Sequence, residues 1–411
     1  MSFNQVALGQ RLRAARENRG ISQQVVADEL GLPRTAVTQM EGGRRSVSTL
    51  ELAELSRMYN HPISDFFSDE AVAEDDLLLA LHRMEPELQE DPEVKNEVAR
   101  CLAICREGAD LERVLGKIDA EPLPLYSATA PRSTGEAVSQ GTSVAEQERQ
   151  RLGLGKTPIA DMSDLIAAQG IWVSGAKLPH EMSGLFIRGR SIGMAILVNY
   201  DHVRHRKRFS YAHEYAHALL DRERNATIST SKNASDLLEK RANAFAAAFL
   251  MPEQGVIEVL RNMNKGQNSR QERQVYDVAT EVAIEAEIRS ASGSQTITYQ
   301  DIAMIAHHFR VSYQAATFRL RSLNIISGSI SEHLLQQEEY GKSLLKALKI
   351  WELDEPDLRD SRDRELLTQV VRLAIEAYRR DEISRGRLLD VGKVLGLPGP
   401  LLTSLAEAAR V

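Results

Sequence analysis

Phe209-Ser-Tyr-Ala-His213-Glu214-Tyr215-Ala216-His217-Ala-Leu-Leu220 is the stretch on which the reading of the whole chain turns. On a helix, residues four apart share a face, so His213 and His217 can grip one ion while Glu214 points alongside them. The same pattern arises by chance on structural helices, so its surroundings matter. Phe209, Ala212, Leu219 and Leu220 let this helix be buried, as a catalytic helix must be. A catalytic zinc site also needs a third protein ligand and a fourth position left for water. Downstream, Glu239-Lys-Arg-Ala-Asn-Ala-Phe-Ala-Ala-Ala-Phe-Leu-Met-Pro252 predicts a second buried helix, packed through Ala242, Phe245, Ala246 and Phe249 and ended by Pro252. Glu239, at its start, lies on the edge that can meet the first helix and is the candidate third ligand.

Upstream of this pair the pattern is mixed. Gly170 ends a helix spanning Met162–Gln169, and Ile171-Trp-Val is a short strand. Ser183–Arg188 and Gly193–Asn199 read as two strands joined by a turn near Gly189. The basic run His202-Val-Arg-His-Arg-Lys-Arg208 reads as a charged loop ahead of the metal helix rather than a nucleic-acid patch. From His202 onward almost everything is expected to be helical, punctuated at Gly266–Asn268, Ser290–Ser294, Ser327–Ser331 and Leu397–Pro400. Tyr299–Ile326 holds two amphipathic helices joined at Val311-Ser312. His307 and His308 are adjacent, point apart and make a poor metal pair.

The first 60 residues have a different character. Leu8, Leu12 and Ala15 stripe a first helix ending near Arg19-Gly20. Ser22 is placed to cap a second, with Val26, Ala27 and Leu30 inward, and Gly31 supplies a sharp turn. Pro33 starts a third helix carrying Val37 and Met40; Leu50, Ala53 and Leu55 continue on a fourth. Short helices at this spacing allow the second and third to cross steeply.

The chain has 411 residues, 27% charged and 43% hydrophobic, enough for two to four domains. Its 51 basic and 58 acidic residues give −7, so no global cationic character advertises nucleic acid. Residues 61–125 carry 17 acidic against 6 basic residues, with Leu77, Leu78, Leu81, Leu88, Val94, Val98, Leu102 and Leu111 at helical spacing. They read as an acidic helical connector. The segment from Glu121 to Gly135, followed by Ser139-Gln-Gly-Thr-Ser, reads as a linker. Cys101 and Cys105, four apart on a helix, read as free thiols rather than a disulfide or a zinc site. The polar N-terminus and the absence of a long apolar run predict a soluble, cytoplasmic protein with no membrane partner.

Two resemblances organise these observations. Residues 6–67, through Ser22-Gln-Gln-Val-Val-Ala-Asp-Glu-Leu-Gly-Leu-Pro-Arg-Thr-Ala-Val-Thr-Gln-Met-Glu-Gly-Gly-Arg-Arg45, resemble the XRE (Cro and phage-repressor) helix-turn-helix family. That resemblance implies a recognition helix, Pro33–Met40, in the major groove of an operator, with Arg34, Thr35, Thr38 and Gln39 facing base edges. Gln23, Arg44 and Arg45 would lie on the phosphate backbone, and a homodimer would read a pseudo-palindrome. Val47 stands where many members carry proline.

Residues 137–326 are similar to the ImmA/IrrE metallopeptidases, through Ser183-Gly-Leu-Phe, Ile196-Leu-Val-Asn, Arg208-Phe-Ser-Tyr-Ala-His-Glu and Glu239-x-x-Ala-Asn-x-Phe-Ala. The likeness implies His213, His217 and Glu239 as Zn²⁺ ligands and Glu214 as general base in peptide hydrolysis. Tyr215 and Ala216 replace the Leu-Gly often found there, and Arg241 replaces a second acidic residue. Tyr211, His205 and His180 are candidates for the oxyanion-stabilising group. The expected fold is mostly α with a small β-sheet: a five-helix DNA-binding domain (1–68), an acidic connector (69–125), a linker (126–136), a central α+β zincin-like metallopeptidase domain (137–326) and a helical C-terminal domain (327–411). The expected function is a regulator that cleaves itself or another regulator, with a repressor or toxin as protein partner; the alternatives are a non-proteolytic repressor that senses a ligand or partner, and an antitoxin-like component that binds a partner protein.

Overall fold

The computed structural model describes residues 5–19, 21–59, 63–66, 91–117, 123–126, 128–189, 191–222, 226–230, 235–265, 270–277, 282–289, 294–350 and 362–409. Leu77, Leu78, Leu81 and Leu88 of the acidic stretch lie outside them. The chain divides into two units, one of N-terminal residues to Leu79 and one of nearly all the remainder. No helix among the described residues is long and apolar enough to cross a membrane.

The N-terminal unit consists of α1 (Gln5–Asn18), α2 (Gln23–Glu29), α3 (Arg34–Glu41), α4 (Thr49–Tyr59) and a 3₁₀ turn, Ile63–Phe66, as its fifth helical piece. Ser22 caps α2 by accepting the Val25 N–H, and the chain turns into α3 through Gly31. Leu12, Val26, Ala27, Val37, Leu55, Tyr59 and Phe66 make the core, with Val47 packed on its edge. On α4 the inward face is Leu52, Leu55 and Tyr59, at the i, i+3, i+7 spacing of one helical stripe; Leu50, expected inside, is 82% exposed. A buried ion pair crosses this core. Arg16 binds the Glu41 carboxylate through two nitrogens and gives its third to the Ile21 carbonyl, fastening α1 to α3.

In the second unit, α5 (Pro92–Val114) packs on α15 (Arg364–Arg379) and on β1 (Trp172–Ala176). Its stripe of Val94, Val98, Cys101, Leu102, Cys105 and Leu111 is buried, and so are Glu97 and Glu107, each paired with arginine: Glu97 with Arg100 and Arg362, Glu107 with Arg387. Both thiols are free, and burial pushes Cys101 up to about 12. α6 (Thr134–Arg151) contains Ser139–Ser143, expected as linker. Gly141 among them is the point where another helix lies against α6: a Cβ there would fall 2.3 Å from the Arg241 carbonyl oxygen and 2.9 Å from the Phe245 nitrogen.

After α7 (Met162–Ala167) come β1, β2 (Met182–Gly189) and β3 (Gly193–Asn199), then α8 (Arg204–Leu220), β4 (Ala226–Thr230), α9 (Leu237–Leu250) and α10 (Glu253–Asn262). The sheet runs β1-β3-β2-β4, with β1 parallel to β3 and β4 antiparallel to β2. Most of the basic run expected as a loop forms the first turns of α8. β4 and the hairpin β5 (Arg270–Asp277)–β6 (Val282–Arg289) correct the expectation that almost everything beyond His202 is helical. Asn199 ends β3 by donating to the carbonyls of Leu178, Pro179 and Met182, which shapes the connection into β2.

One core joins the sheet to the helices. Val173, Phe186 and Ile196 meet Tyr215, Phe245 and Phe249, and the same cluster takes in α11 (Tyr299–Phe309) and α12 (Tyr313–Ser322) through Ile302, Phe309, Ala316 and Leu320. The helices α13 (Gly328–Gln336), α14 (Glu338–Ala347), α15, α16 (Arg385–Val394) and α17 (Gly399–Ala408) follow.

Candidate metal centre and DNA-reading face

His213 and His217 sit four apart on α8, and α9 packs against that helix, bringing Glu239 to them. Asp236 caps α9 by accepting the Leu238 N–H, which sets Glu239 in the first turn. The three side chains are buried, and their ligand atoms lie within 4.8 Å of one another. His213 Nε2 is 3.0 Å from Glu239 Oε2 and 3.2 Å from His217 Nε2; His217 Nε2 is 3.5 Å from Glu239 Oε1.

The second nitrogen of each ring is engaged elsewhere. His213 Nδ1 lies 2.9 Å from Asn243 Oδ1, and His217 Nδ1 lies 2.9 Å from Asp221 Oδ2. With Nδ1–H donating in both rings, the two Nε2 lone pairs and a carboxylate converge on one point. Such a set is mutually repulsive unless a cation joins it, which is the donor chemistry a divalent metal requires. Two imidazoles on a tetrahedral zinc at about 2.0–2.1 Å place their nitrogens about 3.3 Å apart, and the observed gap fits. The local field favours positive charge here, so a proton competes with a metal for the His217 Nε2 lone pair. Burial disfavours a charged His217, yet Asp221 and Glu239 raise it to about 10. Glu239 falls to about 2, because the two imidazoles outweigh its burial.

Glu214 lies beside the cluster and is fully buried, and neither carboxylate oxygen has a hydrogen-bond partner. Its pKa is raised by that burial, partly offset by His213 and His217. The strand beneath leaves room for it: a Cβ on Gly184 of β2 would come within 2.7 Å of Glu214 Oε1. The β2–β4 register shifts between Met182 and Gly184, and irregularities of this kind re-aim backbone beside functional sites.

Arg241 is buried and holds Asp221. Tyr215 donates to Glu148 of α6, which also accepts from Tyr126 and Arg151, so that position anchors α8 to α6. Sequence reasoning missed Asp221, Asn243 and Glu148. The first two carried a signal, since Asp221 follows His217 by four residues and Asn243 follows Glu239 by four. Asn243 also stands in the wall of a cavity of about 1250 Å³, beside Phe209, Ala247 and Phe318. Of the oxyanion candidates, His205 lines this cavity and Tyr211 lines another of about 720 Å³, neither walled by the metal-site triad. His180 sits edge-on to His202.

In the N-terminal unit, Arg34, Thr35, Thr38 and Gln39 are exposed on α3, with Arg44 exposed after it. Gln23 is half-buried; its amide donates to Glu41 at 2.7 Å and accepts from the Thr38 hydroxyl at 3.2 Å. Arg45 is paired with Glu51 at 2.6 Å. Thus Arg34, Thr35, Gln39 and Arg44 form the open surface, and Gln23, Thr38 and Arg45 also brace the domain.

Residues 7–64 match the family described as a helix-turn-helix domain, and residues 166–321 match the peptidase family described as an IrrE N-terminal-like domain. No curated protein matches the chain. The second match begins beyond α6, although that helix packs on α9. The chain joins an XRE-type helix-turn-helix domain to a domain of ImmA/IrrE type.

Proposed function

We propose that the protein is a cytoplasmic, dimeric DNA-binding regulator whose central domain is a zinc endopeptidase, relieving repression during stress, phage or mobile-element responses by cleaving itself or another regulator. The observation that carries the enzymatic part is the convergence of His213 Nε2, His217 Nε2 and the Glu239 carboxylate beside an unpartnered, buried Glu214. Zinc, held by those three residues, would supply a Lewis acid able to polarise a carbonyl and acidify water. Glu214 takes the proton from the attacking water on a carboxylate oxygen and returns it to the leaving amine. Its burial suits both transfers, since a carboxylate with a raised pKa releases and accepts protons nearer neutrality. Asn243 and Asp221 hold the two rings in the tautomer that turns Nε2 inward.

Metal content of protein purified without chelators tests this. About one zinc per chain is expected, lost in His213→Ala and in Glu239→Ala. Absence of metal even after zinc is offered would leave a DNA-binding protein with a relic peptidase fold. Asn243→Ala and Asp221→Ala are expected to weaken zinc affinity about 10–100-fold, read by chelator competition. Unchanged affinity in both would remove the positioning role.

For the DNA-binding half, Thr35→Ala with Gln39→Ala is expected to abolish sequence preference while leaving salt-dependent, nonspecific binding. Retained preference in a binding-site selection would move base reading elsewhere.

A further inference from the structure

The basic turns at the start of α8 and the pair His307–His308 have no part in the reaction above, yet both border the cavity of about 720 Å³. Lys207 and Arg208 reach it from α8, and Arg310 reaches it from the joint between α11 and α12. Among the described residues none of these three cations has a salt-bridge partner. Arg208 gives its terminal nitrogens to the carbonyls of Ile159 and Ala160, and its buried Nε has no hydrogen-bond partner. Arg310 donates to the Ala160 carbonyl at 3.1 Å. Lys207 Nζ lies 4.8 Å from the centre of the Tyr200 ring.

Two acids stand in the wall, and Asp161 offsets part of the charge on Arg208 without pairing with it. Asp161 caps α7 and accepts the Ser163 hydroxyl, and Glu365 pairs with Arg364. The wall's remaining arginine toward α15, Arg362, is offset by Glu97. Burial and then the neighbouring Arg310 bring Arg208 down to about 10. The helix adds to the imbalance. α8 opens on Arg-His-Arg-Lys-Arg with no acidic residue in its first turn and no side-chain cap. Positive side chains at the positive end of a helix dipole are unfavourable on their own, and an anion between them reverses the sign.

We propose that this cavity binds a small phosphorylated molecule of nucleotide size, its phosphates held by Lys207, Arg208 and Arg310 and its remainder packed on Tyr200, Tyr211 and Met304. The volume suits a ligand of that class, and a cavity of this size does not admit a DNA duplex. The ligand would touch the first turns of the helix whose later turns carry His213 and His217, which gives it a direct mechanical route to the metal centre. Binding itself does not depend on the peptidase reading.

Titration calorimetry on the full chain with ADP in excess Mg²⁺, beside AMP and pyrophosphate, tests the site. Saturable ADP binding, tighter than that of pyrophosphate, is expected in the wild type. In Lys207→Gln with Arg310→Gln it should weaken at least about tenfold, with the unfolding midpoint lowered only by loss of the Arg310–Ala160 bond. Lys207→Gln alone breaks no hydrogen bond to protein and should weaken binding several-fold in an unperturbed fold. No saturable binding of any probe, or equal ADP affinity in wild type and variants, would overturn the proposal. ADP binding no tighter than pyrophosphate would remove the aromatic wall from it. If the variants instead lose affinity for random duplex DNA while ADP never binds, the basic turns are a nucleic-acid surface and the proposal falls.

Discussion

Glu214→Gln is expected to lower peptide-bond cleavage by about 10²–10⁴-fold while leaving zinc content and DNA binding unchanged. The substitution keeps the shape of the side chain, and with it the contact with Gly184, but removes the group that accepts the proton. Glu214 is fully buried, and the one hydroxyl beside it, Ser229, serves an amide oxygen as well as a carboxylate. A buried, unpaired carboxylate is costly to maintain, so a purely architectural role would favour an apolar residue there. The measurement is cleavage of candidate repressors, including the chain itself, followed by mass spectrometry and paired with zinc analysis of the same sample. Wild-type cleavage rates in the variant would exclude Glu214 as the base. Normal derepression by the variant under the inducing stress would exclude proteolysis as the route of control.

Gly141→Ala is expected to destabilise the second unit by about 1–3 kcal/mol and to lower zinc retention with it. The added Cβ meets the Arg241 carbonyl at 2.3 Å and the Phe245 nitrogen at 2.9 Å. Both are backbone atoms in the middle of a helix, so neither can step aside; α9 must move bodily. That helix carries Glu239, Arg241 and Asn243, so the displacement reaches a metal ligand, the partner of Asp221 and the partner of His213 together. Gly135→Ala is the control. It lies in the first turn of the same helix with nothing nearer than Ser133 Oγ at 4.0 Å, and should be neutral or slightly stabilising. Equal unfolding midpoints for the two variants would show that the α6–α9 contact does not hold the centre.

These residues also mark where the sequence could be read and where it could not. His213, His217 and Glu239 were legible because helical spacing is a local property, and the second buried helix announced itself through Phe245 and Phe249. The two resemblances drawn from short motifs agree with the matched domains, including the helix-turn-helix start. Ser139–Ser143 misled because small residues suit a turn and a close helix crossing equally well; only the position of α9 separates the two. The strands after α8 were missed for a different reason. Val282-Ala-Ile-Glu-Ala-Glu-Ile-Arg289 does alternate with period two, but it lies between helices and reads as an amphipathic helix when length is the guide. On the DNA-reading side, composition could not reveal that Gln23 and Thr38 bond one another, since that bond depends on how α2 crosses α3.

Asp221 links the end of α8 to α9 by accepting from both His217 and Arg241, and Asn243 ties His213 to the same helix. These bonds between protein side chains do not pass through a metal, unlike the contacts of small zinc domains whose folding is driven by the ion. A chelator should strip the centre without melting it, and zinc restored afterwards should return full occupancy without a refolding step. In a cell short of zinc, the helix-turn-helix, whose core of Leu12, Val26, Val37 and Leu55 owes nothing to the ion, would keep its grip on DNA while the hydrolytic half fell silent. Metal supply would then set how readily repression can be lifted, independently of how tightly it is imposed.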